Sequence, residues 1–234
     1  MVDICENIQG VNDRIAASAN RAGRDPAAVD LLAVTKTQPP EVIREAIDAP
    51  HLLFGENKVQ EADVKIPLLP SKAEWHLIGH LQKNKVRKAL HLFPTIHSID
   101  SLELARQVDR AADELGRFPN VYLQVNIATE ASKHGFSPDR LRADLSSLLD
   151  LKRLHVLGLM LIPPFDPDPE ISRPYFVHLR ELRDELERTA GVSLPGLSMG
   201  MSHDFEIAIE EGATFIRVGS MLFEGLESDD DSES

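Results

Sequence analysis

The chain has 234 residues, 42% of them hydrophobic, and 25 Lys plus Arg against 38 Asp plus Glu give it a formal charge of −13. That length supports one substantial core in a single domain, and so acidic a surface repels nucleic-acid backbones and anionic membranes. The opening MVDICENIQG lacks the basic-then-apolar pattern of an export signal, no apolar run approaches a membrane span, and the one cysteine, Cys5, has no disulfide partner, so a cytoplasmic protein is expected.

Ile4, Ile8, Val11, Ile15 and Ala19 recur at helical spacing before Gly23 and predict an opening helix. From there short apolar runs alternate with helical ones. LLAVTK precedes VIREAI, HLLFG precedes NKVQEADVKI, EWHLIG precedes QKNKVRKAL, and TIHSI precedes a helix opened by the capping pair Asp100 and Glu103. NVYLQVN leads to a helix entered through Ser137 and Pro138, and LHVLGLML to one carrying Phe176, Leu179, Leu182 and Leu186. GLSMG leads to DFEIAIEEG, and ATFIRVGS to a short closing segment. Eight strand–helix pairs without a linker, several strands being apolar on both faces, predict a single-domain (β/α)8 barrel of the TIM type over residues 1–227, with an extra N-terminal helix. A doubly wound open sheet is the alternative. PPFDPDPE, Pro163 to Glu170, reads as a loop after the sixth strand, and residues 228–234, nearly all acid and serine, as a disordered tail.

Barrels of this kind assemble their sites at the C-terminal ends of the strands. Lys36 closes the first predicted strand, and alternation puts it with Leu32 and Val34 on the face opposite Ala33 and Thr35, so that it can point into the mouth. On spacing alone, a strand-end lysine more commonly snorkels to solvent. GLSMGMS (Gly196 to Ser202) and IRVGS (Ile216 to Ser220) end the seventh and eighth strands in small residues. That composition suits a phosphate cradle after these two strands, and equally any tight turn. Parity turns Arg217 and Gly219 inward, offering either a cation inside the mouth or an arginine paired with a carboxylate. A lysine amine, a phosphate cradle and a cation between them describe pyridoxal phosphate held as a Schiff base.

LLAVTK, HLLFGEN, EWHLIGHLQKNK, HSID, VNIATEASKHGF, GLMLIPP and LSMGMSHDFEIAIEEGATFIRVGSMLFE closely resemble the pyridoxal-phosphate homeostasis protein family, single-domain relatives of the N-terminal barrel of alanine racemases. The resemblance runs in order from about Leu31 to Glu224. It implies a fold type III pyridoxal-phosphate barrel in which Lys36 forms the internal aldimine. By the same resemblance Ser198, Gly219 and Ser220 hold the phosphate, Arg217 lies by the pyridine ring, and Asn57, His76 and Met201 line the pocket. Leu161 stands where members often carry Ala or Thr, and His80 occupies a variable position. The implied role is a cytoplasmic carrier or buffer of pyridoxal phosphate, expected to be a monomer that serves pyridoxal-phosphate-dependent apo-enzymes without turnover of its own.

Ser202, His203 and Asp204 are triad residue types, yet three consecutive side chains cannot converge, and Ser202 is expected as a helix N-cap with Asp204 in the first turn. His76 and His80 have metal-ligand spacing only on a continuous helix, which Gly79 and the strand-like EWHLI oppose, so no metal is assigned. Lys83, Lys85, Arg87 and Lys88 read as a solvated helix face. An arginine beside the pyridine nitrogen has no proton to give it, which weakens the ring as an electron sink. Tyr122 is expected at the start of the fifth strand, away from the mouth, and Tyr175 on an outer helix, so neither supplies an acid or base. A small racemase or other amino-acid enzyme is the alternative to a carrier. Lys133, in ATEASKHGF, is expected on the rim, where it can accept the cofactor transiently from Lys36.

Overall fold

The apolar stripe of the first segment folds as α1 (Ile4–Arg21), with Ile4, Ile8, Val11, Ile15 and Ala19 buried, and Gly23 turns the chain away from it at φ 66°. We describe a computed structural model covering residues 4–49, 51–128 and 134–225. Eight parallel strands follow and close in sequence order, β1 pairing with β8. They are β1 (Asp30–Val34), β2 (Leu53–Glu56), β3 (Glu74–Leu77), β4 (Thr95–Ile99), β5 (Asn120–Gln124), β6 (His155–Met160), β7 (Gly196–Met201) and β8 (Phe215–Val218). The intervening helices are α2 (Pro40–Asp48), α3 (Val59–Lys65), α4 (Val86–Leu92), α5 (Leu102–Leu115), α6 (Pro138–Leu149), α7 (Arg173–Ala190) and α8 (Phe205–Glu210), with α9 (Ser220–Phe223) after β8. The (β/α)8 barrel expected from the sequence is thus the fold, and α1 packs on α8 and α9.

Alternation sorts each strand into two cores. Leu31, Ala33, Phe54, Leu77, Ile96, Leu123, Leu197 and Ile216 face the helices in the main core, while Leu32, Val34 and Ile78 form a separate cluster inside the barrel. The interior is crowded by rings, with Tyr122, His97, His76 and Phe215 packed on one another. A Cβ on Gly196 would lie 2.4 Å from the Tyr122 ring, and a Cβ on Gly158 would lie 1.8 Å from the Gly196 carbonyl oxygen, so only glycine lets β6 and β7 close around that tyrosine.

Three local expectations change. α5 is capped by Ser101, whose Oγ accepts from the Leu104 N–H at 3.2 Å, and not by Asp100. Tyr122 is the third residue of β5, buried in the barrel, because β5 begins by pairing Asn120 with Thr95. The first strand stops at Val34, two residues before Lys36. Lys133 and the tail at 228–234 lie outside the described residues. Among the described residues no helix is long and apolar enough to cross a membrane.

Candidate functional site

Lys36 lies in an exposed turn past β1, so strand alternation, which requires a strand, does not set its direction. Thr35 anchors the base of that turn. Its N–H donates to the Gly55 carbonyl at 3.1 Å and its Oγ1 to Glu56 Oε1 at 2.6 Å, while its carbonyl accepts from Lys65 Nζ at 2.8 Å. Lys65 Nζ also meets the fully buried Glu56 at 2.7 Å, so this lysine is consumed by the clamp. Thr37 then reverses the chain with φ 66°, a conformation that costs a non-glycine residue and is held by its surroundings. The Lys36 ammonium has no charged partner among the described residues.

Arg217 projects from β8 into the barrel, 3% exposed. It donates from Nη1 to Ser198 Oγ at 2.7 Å and from Nη2 to the Leu161 carbonyl at 2.8 Å, reaching the end of β6. Ser198 Oγ is 2.7 Å from His97 Nδ1, His97 Nε2 is 2.9 Å from His76 Nδ1, and His76 Nε2 is 3.1 Å from Glu74 Oε1 at the foot of β3. The bond to His76 holds the Glu74 carboxyl below its usual range. The Arg217 N–H groups are fixed donors and the ionised Glu74 a fixed acceptor, so the Ser198 hydroxyl and the two histidine rings bridge a cation at one end and a carboxylate at the other. One hydrogen-bonded chain therefore runs from Arg217 through the barrel to the opposite rim. Burial, with His76 and Arg217 adding repulsion, keeps His97 well below the ordinary imidazole range. Burial also pulls Arg217 down to about 10 against the attraction of Asp204, leaving it a cation at neutral pH. Among the described residues no carboxylate touches its guanidinium.

The structure separates the two serines of GLSMGMS. Ser198 is fully buried in mid-strand with its hydroxyl committed to Arg217 and His97. It is Ser202, past the end of β7, whose Oγ accepts from the Gly219 N–H at 3.3 Å. Ser202 is not a helix cap as expected: α8 starts one residue after Asp204, whose Oδ1 already accepts from the Met201 N–H at 2.8 Å. A Cβ on Gly219 would lie 3.2 Å from the Val34 carbonyl oxygen, so the IRVGS loop presses against the end of β1, and the next residue, Ser220, is exposed. Asn57 and Met201 are half-buried at the ends of β2 and β7. His76, expected to line the pocket, is buried inside β3 as a member of the chain to Glu74. Leu161 points into the helix-facing core and offers the site only its carbonyl.

Neither tyrosine hydroxyl reaches the mouth. Tyr122 stacks on His97 at 4.5 Å deep in the barrel, and burial pushes its phenol far above the ordinary range; Tyr175 is packed on the outer core. Lys83, Arg87 and Lys88 are exposed and paired with Glu103, Glu114 and Asp63, a solvated face as expected. His80, which the sequence spacing set against His76, lies instead beside Asp100 and His134.

An eightfold parallel barrel with, among its described residues, a lysine that has no charged partner, a buried arginine that no carboxylate touches and two small-residue loops defines a class of barrel suited to an anionic, carbonyl-bearing small molecule. The model of the alanine racemase N-terminal domain matches residues 9–227. The chain is 46% identical over 223 residues to the pyridoxal phosphate homeostasis protein of Aquifex aeolicus, covering 95% of this chain and 98% of that one. It is 44% identical over 225 residues to the Pseudomonas aeruginosa protein of the same name, covering 95% and 96%. PipY of Synechococcus elongatus, solved with pyridoxal phosphate bound, superposes with a TM-score of 0.80 at 43% identity, covering 91% of this chain and 99% of that one. An alanine racemase of Clostridium difficile shares the fold alone, with a TM-score of 0.71 at 14% identity over 97% of this chain and 58% of that one. The chain therefore belongs to the alanine racemase N-terminal domain family, and within it to the pyridoxal phosphate homeostasis proteins.

Proposed function

We propose that this protein binds pyridoxal 5′-phosphate as a Schiff base on Lys36 and acts in its homeostasis as a carrier or buffer. The observation that carries the reading is the contact of the Gly219 loop with the end of β1, two residues before Lys36, in a barrel whose buried Arg217 meets no described carboxylate. Those donors fit the cofactor: an amine for its aldehyde, backbone N–H groups and hydroxyls for its phosphate, and a fixed cation for its ring. When bound, pyridoxal phosphate supplies an electrophilic carbonyl and a ring that accepts electrons. In this reading Ser202, Gly219 and Ser220 form the phosphate cradle, Asn57 and Met201 flank it, and Ser198 with His97 and His76 orients Arg217 from beneath. Arg217 donates hydrogen bonds without releasing a proton, so it leaves a neighbouring ring nitrogen unprotonated.

The absence of turnover is supported by the same residues. Racemisation needs a proton donor and acceptor at the mouth, and both tyrosines are packed elsewhere. The curated relatives carry the name of a homeostasis protein rather than of an enzyme. The described large apolar side chains that reach solvent are spread over the α2–β2 connection, α3 and the turn after it, the α5–β5 connection and the β6–α7 connection, which supports a monomer. Three measurements test the proposal. Adding pyridoxal phosphate to the purified protein should produce a Schiff-base absorbance band that Lys36→Ala lacks. Mixing the loaded protein with a pyridoxal-phosphate-dependent apo-enzyme should restore that enzyme's activity. Incubation with single L-amino acids in deuterated water should give no sustained α-proton exchange; exchange above about 1 per second, in the range of ordinary turnover, establishes an enzyme instead.

A further inference from the structure

Across the mouth from the Gly219 loop, three successive connections each present one metal-ligating side chain: His80 after β3, Asp100 after β4 and His134 after β5. Their ligand atoms all lie within 4.8 Å of one another. His80 Nδ1 is 3.3 Å and His134 Nδ1 is 3.5 Å from the same oxygen, Asp100 Oδ2. Both separations exceed a good N–H···O bond. Both match the edge, about 3.3 Å, of a tetrahedron around an ion with ligand bonds of about 2.0–2.1 Å. We propose that His80, Asp100 and His134 form a binding site for a divalent transition metal ion of the zinc class.

The backbone beneath each ligand is fixed. Gly79, next to His80, is wedged under Asn57, where a Cβ would lie 2.1 Å from the Asn57 carbonyl oxygen. Asp100 Oδ1 accepts from Ser101 Oγ at 3.1 Å, leaving Oδ2 for the imidazoles. The His134 carbonyl accepts from Gln124 Nε2 at 3.2 Å, and backbone bonds of 2.8 Å between Phe136 and the Gln124–Asn126 segment hold the chain two residues on. Such outer contacts orient ligands in metal sites.

The two rings stack, with centroids 3.7 Å apart and planes 12° from parallel. Capture of an ion requires the rings to turn about their Cβ–Cγ bonds until their lone pairs converge. Side-chain exposures of 40% for His80 and 58% for His134 leave room for that rotation, while Asp100 at 12% is the fixed anchor. Two imidazoles and one carboxylate favour Zn2+, Co2+ or Ni2+ over Mg2+ or Ca2+, which prefer all-oxygen sites. A cavity of about 280 Å3 lined by His80, Gln124, Asn126 and His134 lies alongside and admits water or a small ligand to a further coordination position. A bound ion would tie the β3–α4, β4–α5 and β5–α6 connections together at the rim.

The test uses the tag-free full-length chain, dialysed against a chelator and titrated with Co2+ alone by visible absorbance and with Zn2+ alone by calorimetry. The expected result is one ion per chain, a visible band typical of Co2+ with fewer than six ligands, and a metal-dependent rise in melting temperature. His80→Asn, His134→Asn and Asp100→Asn should each weaken binding at least tenfold, whereas His203→Ala, an exposed histidine elsewhere on the mouth, should not change it. Circular dichroism verifies that each variant is folded, and the two histidines are exposed enough to be replaced without loss of core packing. No saturable binding below about 1 mM in the wild type overturns the site. So does undiminished affinity in the folded histidine variants, which would place the ion elsewhere.

Discussion

Ser198→Ala separates the buried serine of β7 from Ser202 past its end most sharply. The substitution removes the acceptor for Arg217 Nη1 and the hydrogen-bond partner of His97 Nδ1, both at 2.7 Å inside a fully buried site. A hydrogen bond to a charged group contributes about 1.5–3 kcal/mol, and a neutral one about 1 kcal/mol. The sum predicts a loss of about 2.5–4 kcal/mol, or roughly 5–15 °C in melting temperature for a domain of this size. Urea unfolding followed by circular dichroism at pH 7.5 measures it. Because Ser198 acts through Arg217, the affinities for pyridoxal phosphate and pyridoxal should change by the same factor. Ser202→Asp should behave oppositely. It sets a carboxylate beside the Gly219 N–H, so affinity for the phosphate-bearing ligand should fall several-fold or more while pyridoxal binds nearly as before. A Ser198→Ala protein within about 0.5 kcal/mol of wild type, or one that loses only the phosphate-bearing ligand, refutes the orienting role and returns Ser198 to the cradle.

Three further outcomes follow from the packing. His97 is held below its unfolded pKa, so the unfolded chain binds the extra proton as the pH drops. Stability should therefore decline below about pH 6.5 by up to about 1.4 kcal/mol per pH unit from this residue, and His97→Gln should remove that share when unfolding is compared at pH 7.5 and 5.5. Lys65→Met should cost about 3–5 kcal/mol by leaving Glu56 buried without its cation, and should loosen the Lys36 turn; a loss under about 1 kcal/mol in urea unfolding contradicts the clamp. Gly158→Ala should abolish folding or destabilise severely against the Gly196 carbonyl, whereas Gly10→Ala, on α1 with nothing within 4 Å of the new Cβ, should stabilise by about 0.5–1 kcal/mol in the same assay.

The barrel was legible because its strands are apolar on both faces and separated by amphipathic helices, a pattern that survives without knowledge of any contact. The inward turn of Arg217 was legible for the same reason, since parity holds within β8. Parity failed at Lys36, where the strand had already ended, and strand ends are set by pairing with neighbours rather than by composition. Composition identified the GLSMGMS segment, but only the extent of β7 to Met201 decides that Ser198 is buried in mid-strand while Ser202 lies past the strand end. The Thr35–Glu56–Lys65 clamp hides in sequence as an ordinary polar helix flank. His80, Asp100 and His134 sit on three different connections, and only the closure of the barrel makes them neighbours.

The central claim concerns one amine. Borohydride treatment of the protein saturated with pyridoxal phosphate, followed by peptide mapping, reads which lysine carries the cofactor. The account predicts a single pyridoxyl group on the peptide containing Lys36, and a folded Lys36→Ala protein that is not labelled. Labelling of another lysine in the wild type, with Lys36 unmodified, contradicts it.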